Sequence, residues 1–204
     1  MDALSRIVGR VMLLRGAAQA RPDVQDVSDL HCVEWFSGVQ SIVTAFREQG
    51  LKACGFDVEN NSWTQDFMSD LGFLNALQRV RRLIPRTGFS SFACVCSSWI
   101  FLSRGSTGRS ALNPMGNTQL PSVMMANMMV SRTVLLILIG VAKCTGWMIE
   151  QPRGSLLGQH DRMRMIEAMA KRIEWLGFHT INTYMGCVGA DTEKATTLWS
   201  GGLS

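Results

Sequence analysis

Apolar positions along this chain switch between two spacings. Short runs with strand character fall at residues 32–36, 52–57, 91–95, 147–151, 179–184 and 196–199. Between them the spacing lengthens to three and four. Residues 39–49 place Ile42, Val43 and Phe46 on one helical face, and Gly50 stops the turn. Asp70 is placed to cap a helix over 70–84 that turns Phe73, Leu74, Leu77, Val80 and Ile84 inward and Arg79, Arg81 and Arg82 outward. Residues 122–144 are apolar nearly all round, which predicts a buried helix. Asp161 opens a helix over 161–176, with Met163, Ile166, Met169 and Ile173 on its inner stripe and Gly177 at its end. Residues 103–117, rich in Gly, Ser and Asn, predict a loop.

Strands separated by helices of this length predict an α/β fold. The expectation is a single Rossmann-like domain over 31–204, its sheet mostly parallel and covered by helices on both faces, with residues 1–30 as a helical extension. A chain of 204 residues suffices for one domain with a substantial core, and 47% hydrophobic residues fit a globular protein. The net charge of +4 permits an anionic partner without requiring one.

The six cysteines are spread out and form no CxxC pair, which predicts reduced thiols in an intracellular compartment and no zinc site. The longest uncharged apolar run, 133–142, is too short for a membrane span of about 20 residues. Near the start, Arg6, Arg10, Arg15 and Arg21 alternate with Ile7, Val8, Val11, Met12, Leu13 and Leu14. That pattern fits either an organelle transit segment or a structural helix, so nucleus, cytoplasm and organelle all stay open.

The first strand runs into Phe36-Ser37-Gly38, a helix follows, and the second strand ends at Asp57. A small-residue turn lets backbone N–H groups approach a ligand, and a carboxylate at the next strand end accepts hydrogen bonds from ribose hydroxyls. This order points to an adenosine-containing ligand. Ligands of such sheets bind at the carboxyl ends of the strands, so Cys96, Ser97, Glu150 and Gln151 are expected on the same rim.

Six segments, in order, resemble the DNA cytosine-5 methyltransferase family. They are Phe36-Ser37-Gly38, Asp57, Asp66-Phe67, Val95-Cys96-Ser97-Ser98-Trp99, Met148-Ile149-Glu150-Gln151-Pro152, and Lys194-Ala195-Thr196-Thr197-Leu198-Trp199-Ser200. The resemblance implies S-adenosyl-L-methionine as cofactor, held by Phe36, Ser37, Gly38, Asp57 and, at the adenine end, Asp66. It implies Cys96 as nucleophile, Glu150 as the acid group orienting the base, and nucleic acid, DNA rather than RNA, as acceptor. Arg104, Arg109 and Lys194 are the candidate phosphate contacts.

The chain departs from the family pattern at Val95, where a proline is usual, and at Gln151, where an asparagine is usual. Lys194 and Thr196 stand where many members carry arginines, and no stretch is long enough for a target-recognition domain. A partner chain supplying recognition, a catalytically silent binding module, and a methyltransferase for a non-nucleic-acid substrate therefore remain alternative expectations. Each residue also has a plain structural reading. Cys96 can be a small buried hydrophobe like Cys94, Glu150 one half of a salt bridge, Asp57 an Asx-turn residue, and Asp70 the relevant acid in place of Asp66.

Overall fold

A computed structural model describes residues 27–188 and 193–202. Residues 1–26, most of the predicted N-terminal extension, lie outside the described residues. Six strands form one sheet: β1 (Cys32–Trp35), β2 (Ala53–Phe56), β3 (Phe89–Phe92), β4 (Gly146–Pro152), β5 (His179–Tyr184) and β6 (Ala195–Gly201), in the order β2-β1-β3-β4-β6-β5. The described helices of the α type are α1 (Ser41–Glu48), α2 (Asp70–Arg81), the short α3 (Arg104–Thr107), α4 (Pro121–Ala142) and α5 (Asp161–Ala170).

The fold is α/β, as expected, but the sheet is mixed. β2, β1, β3 and β4 pair in parallel, whereas β6 lies antiparallel to both β4 and β5. A connection too short for a crossover helix joins β5 to β6, and only an antiparallel pair can be closed that way. The chain steps outward from β1 to β2, then returns past β1 to β3. That reversal makes the carboxyl ends of β1 and β3 the switch point of the sheet, the place where open α/β sheets form their ligand crevice.

Strand alternation divides the core. Cys32 and Ala53 face α1, where Val43, Ile42, Phe46 and Phe89 complete a small cluster. Val33, Trp35, Phe56, Phe92 and Ile149 join the large cluster built with α2, α4 and α5. Trp35 stacks on Phe92 with ring centroids 5.7 Å apart. α4 packs against α2, α5, β3 and β4. It is long and apolar enough, by length and composition, to cross a membrane, a test that core helices pass equally. Val130, Val134, Leu136, Ile137 and Val141 are buried in the core, while Met124, Met125, Met128 and Leu135 are exposed.

Several local expectations are corrected. α2 buries Gly72, Ala76 and Val80 and leaves Leu74 exposed. Its cap is Ser69, whose Oγ accepts the Gly72 N–H at 2.9 Å, rather than Asp70. Arg79 is not a purely solvated side chain, since it donates to the Gly55 carbonyl and lies over the Phe56 ring. α5 is capped by His160 rather than Asp161 and ends at Ala170, before a separate 3-10 turn at Glu174–Leu176. The predicted loop 103–117 opens with α3. β3 ends at Phe92, so Cys96 stands four residues beyond the strand.

The turn feeding α2 depends on the absence of a side chain at Gly72. A Cβ there would lie 1.9 Å from the Asp66 carbonyl oxygen, a backbone atom with no room to withdraw. Gly72→Ala is expected to lose at least about 2 kcal/mol in denaturant unfolding, because overpacking forces the backbone to shift. Gly105→Ala, whose Cβ meets nothing within 4 Å, is expected to be neutral or slightly stabilising. Equal effects would refute the close-approach account.

Candidate functional site

The β1 exit is built from unusual backbone. Phe36 (φ 58°), Gly38 (φ 42°) and Gln40 (φ 59°) all take positive φ within five residues. The Gly38 N–H donates to Asp57 Oδ2 at 3.0 Å, and Asp57 Oδ1 accepts from the Glu59 N–H at 3.0 Å. The Asp57 N–H in turn donates to Gln65 Oε1. Asn60 ties the two loops together, donating to Ser37 Oγ and accepting from Gln40 Nε2. Phe36 meets Phe67 edge-on at 4.9 Å. Phe36, Ser37, Gly38, Asp57 and the 66–67 segment are therefore brought together. The Asp66 carboxylate, however, is engaged by its own turn, where Oδ1 accepts the Met68 N–H at 2.8 Å.

A carboxylate not singled out in the sequence supports this corner. Gln40 makes no side-chain cap for α1; Glu34 on β1 does so instead, Oε2 accepting the Val43 N–H at 2.9 Å. Burial raises the Glu34 carboxyl above its ordinary range, and the backbone bonds from Val43 and Ile42 partly oppose that shift.

On the other side of the crevice, β3 runs out into a turn where Trp99 N–H donates to the Cys96 carbonyl at 2.8 Å. Cys94 and Cys96 separate here. Cys94 is buried, its thiol contacts Thr133 Oγ1, and burial pushes it up to about 12. Cys94 is thus the inert thiol and Cys96 the half-buried one. A cavity of about 300 Å³ opens beside them, lined by Val95, Ser97, Ser98, Ser106, Ser122 and Met125 among others. Cys96 is flanked by lining residues without being one of them.

Glu150 and Lys194, expected in separate roles, meet each other. Lys194 Nζ lies 3.1 Å from Glu150 Oε1, and the Thr196 hydroxyl donates to the same oxygen at 3.4 Å. Gln151 is fully buried. Its Nε2 donates to the Cys94 carbonyl at 2.6 Å and its Oε1 accepts from the Ser155 hydroxyl. Arg104 reaches the Gly154 carbonyl and lies over the Phe101 ring.

Arg109 overturns its expected place on an exposed loop. It is 2% exposed and sits 3.5 Å over the Trp99 ring, donating to Ser98 Oγ and to the Pro114 and Val123 carbonyls. Burial lowers its pKa to about 10. No carboxylate pairs with it among the described contacts. A residue so enclosed does not meet a phosphate at the surface. The opposite face of this cluster is His160, edge-on to Trp99 at 5.5 Å, with Nδ1 accepting the Arg162 N–H. Trp99, Arg109 and His160 lie too far apart in sequence for any periodicity to have linked them.

No protein-family model matches the chain, and no curated protein matches it.

Burial lowers the His160 pKa to about 4, so the folded state holds the ring neutral. A depressed folded pKa means this stability is fully present above about 6.5 and is lost as pH falls toward 4. The expected loss over that window reaches about 3 kcal/mol. His160→Asn keeps a capping acceptor but no titrating ring, so its Tm should fall less steeply between pH 6.5 and 4. Parallel Tm–pH curves for the two proteins would rule His160 out.

Proposed function

We propose that the chain binds S-adenosyl-L-methionine on a Rossmann-like methyltransferase domain and methylates C5 of cytosine in nucleic acid, DNA rather than RNA. The observation that carries the reading is the β1–β2 corner. The Gly38 N–H and the Asp57 carboxylate meet at 3.0 Å on one lip of the crevice opened by the strand reversal. Cys96 follows the strand on the other lip. The residues singled out for cofactor chemistry and for nucleophilic chemistry thus follow the carboxyl ends of neighbouring parallel strands, which supports the reading.

The bound cofactor supplies an electrophilic methyl group on a sulfonium. A cytosine ring carbon attacks such a group poorly. Cys96 as thiolate adds to the neighbouring ring carbon, and that bond makes C5 enamine-like. As C5 takes the methyl group, the sulfur–methyl bond breaks and the demethylated thioether leaves; C5 then gives its proton to solvent, and elimination of the Cys96 thiolate restores the ring. Glu150 orients the base through a ring nitrogen and the exocyclic amine. Its described contacts both fall on Oε1, which leaves Oε2 for this task. The cytosine must be flipped from a duplex or presented single-stranded.

The Glu150–Lys194 pair also favours a second reading, a silent binding module in which both charges serve structure.

Calorimetric titration with S-adenosyl-L-methionine tests the first step. Asp57→Ala is expected to weaken binding about 10- to 100-fold, the effect of losing charge-assisted hydrogen bonds. Transfer of labelled methyl groups to DNA and RNA tests the second. Cys96→Ala should drop transfer by about a thousandfold or more while cofactor affinity is unchanged. Cofactor binding without transfer by the wild type selects the silent module. Transfer to protein or small molecules, with no salt-dependent nucleic-acid binding, selects the non-nucleic-acid enzyme. Absence of cofactor binding defeats the proposal.

A further inference from the structure

β5 ends the strand order, and no described strand pairs with its outer side. Its sequence, His179-Thr180-Ile181-Asn182-Thr183-Tyr184, contains no Asp, Glu, Lys, Arg or Pro. It pairs with β6 through six consecutive positions with no bulge. Five of its six residues are exposed, Ile181 by 51%. Proteins usually protect such edges with lysine, proline, a bulge or a covering segment, because the outward N–H and C=O groups template another strand. The first three devices are missing here.

We infer that β5 is a dimerisation edge, to which a second copy of this chain adds its own β5 in antiparallel register about a two-fold axis at Ile181. The strand is complementary to itself. With Ile181 opposite Ile181, Thr180 faces Asn182 and His179 faces Thr183, so no like charges of acidic or basic side chains oppose. The same register sets Tyr184 of each copy against Phe178 of the other. Phe178, with Thr180 and Trp199, lines a cavity of about 500 Å³ alongside the strand. The exposed Tyr184 ring lies on the same sheet face as Thr180, the face that meets this cavity. The two-fold operation closes on itself, giving one sheet across a dimer rather than a fibre. A short edge buries less than the about 800 Å² per partner of a standard interface, so the dimer belongs in the micromolar range. This inference does not depend on methyl transfer.

The test uses the full chain. Light scattering after size exclusion and sedimentation velocity, from about 1 to 100 μM, should show a concentration-dependent dimer of a single mass. Ile181→Lys should leave a folded monomer across the whole range, with the melting temperature of the wild type at the lowest concentration, where the wild type is also monomeric. Ile181→Cys, in a Cys187→Ser background that removes a nearby exposed thiol, should form an intermolecular disulfide on mild oxidation. Leu112→Cys in the same background, 99% exposed and in the loop after α3, should not. A wild type monomeric throughout, a broad range of aggregate masses, a dimer that persists in Ile181→Lys, or equal cross-linking at both cysteines each overturns the inference. The disulfide comparison holds even if Ile181→Lys folds poorly.

Discussion

The buried carboxamide of Gln151 joins the ends of two strands. One of its atoms holds the Cys94 carbonyl and another takes the Ser155 hydroxyl, with no solvent in reach. An amide left unsatisfied at that depth costs about 1–3 kcal/mol, so the two chain segments are held to it. The Leu156 N–H donates to the Trp99 carbonyl just beyond, which doubles the tie. Cys96 lies between the Cys94 and Trp99 anchors, and His160, the cap of α5, follows Leu156 by four residues. The turn after β3 is thus fixed to the end of β4 by this seam.

The periodicity of the chain was sufficient for the α/β class and for the positions of most elements, but not for the mixed polarity of the sheet. β5 falls where it was expected, and α4 differs by a residue or two at each end. The errors are local in extent: Ser69 and His160 cap their helices one residue before the acids that the sequence favoured, each through an N–H two or three residues on, and β3 ends at Phe92 rather than at residue 95. The strand polarity failed because hydrophobic pattern does not encode direction; the length of the β5–β6 connection does. On the site, the β1–β2 corner was legible because local backbone and a neighbouring carboxylate make it. Glu34 was not, because its partner is the first turn of α1 rather than anything its own strand pattern reveals. Arg109 read as a surface residue because Gly and Ser neighbours resemble solvent-exposed loop. Its burial comes from Trp99, ten positions back.

The charges around the crevice are arranged unequally. Glu150 and Lys194 neutralise each other at the β4–β6 rim. Arg109, by contrast, holds an interior positive charge with hydroxyl, carbonyl and aromatic partners but no described acid. A guanidinium tolerates this better than an ammonium, because it is weakly hydrated and spreads its charge across a face that can stack. The neighbouring His160 stays neutral partly because that charge is near. The β3 side of the crevice is thus biased towards positive potential from beneath its surface, where salt screens least.

The left-handed residues at the β1 exit carry a kinetic corollary. Two non-glycine residues in that region, Phe36 and Gln40, each cost about 1–2 kcal/mol, and only surrounding packing such as the Phe67 ring keeps them there. A segment held so tightly has already surrendered its wandering before any guest arrives. For the ligand proposed at that corner, association would then need little rearrangement, its speed set by encounter and orientation rather than by a slow change of shape.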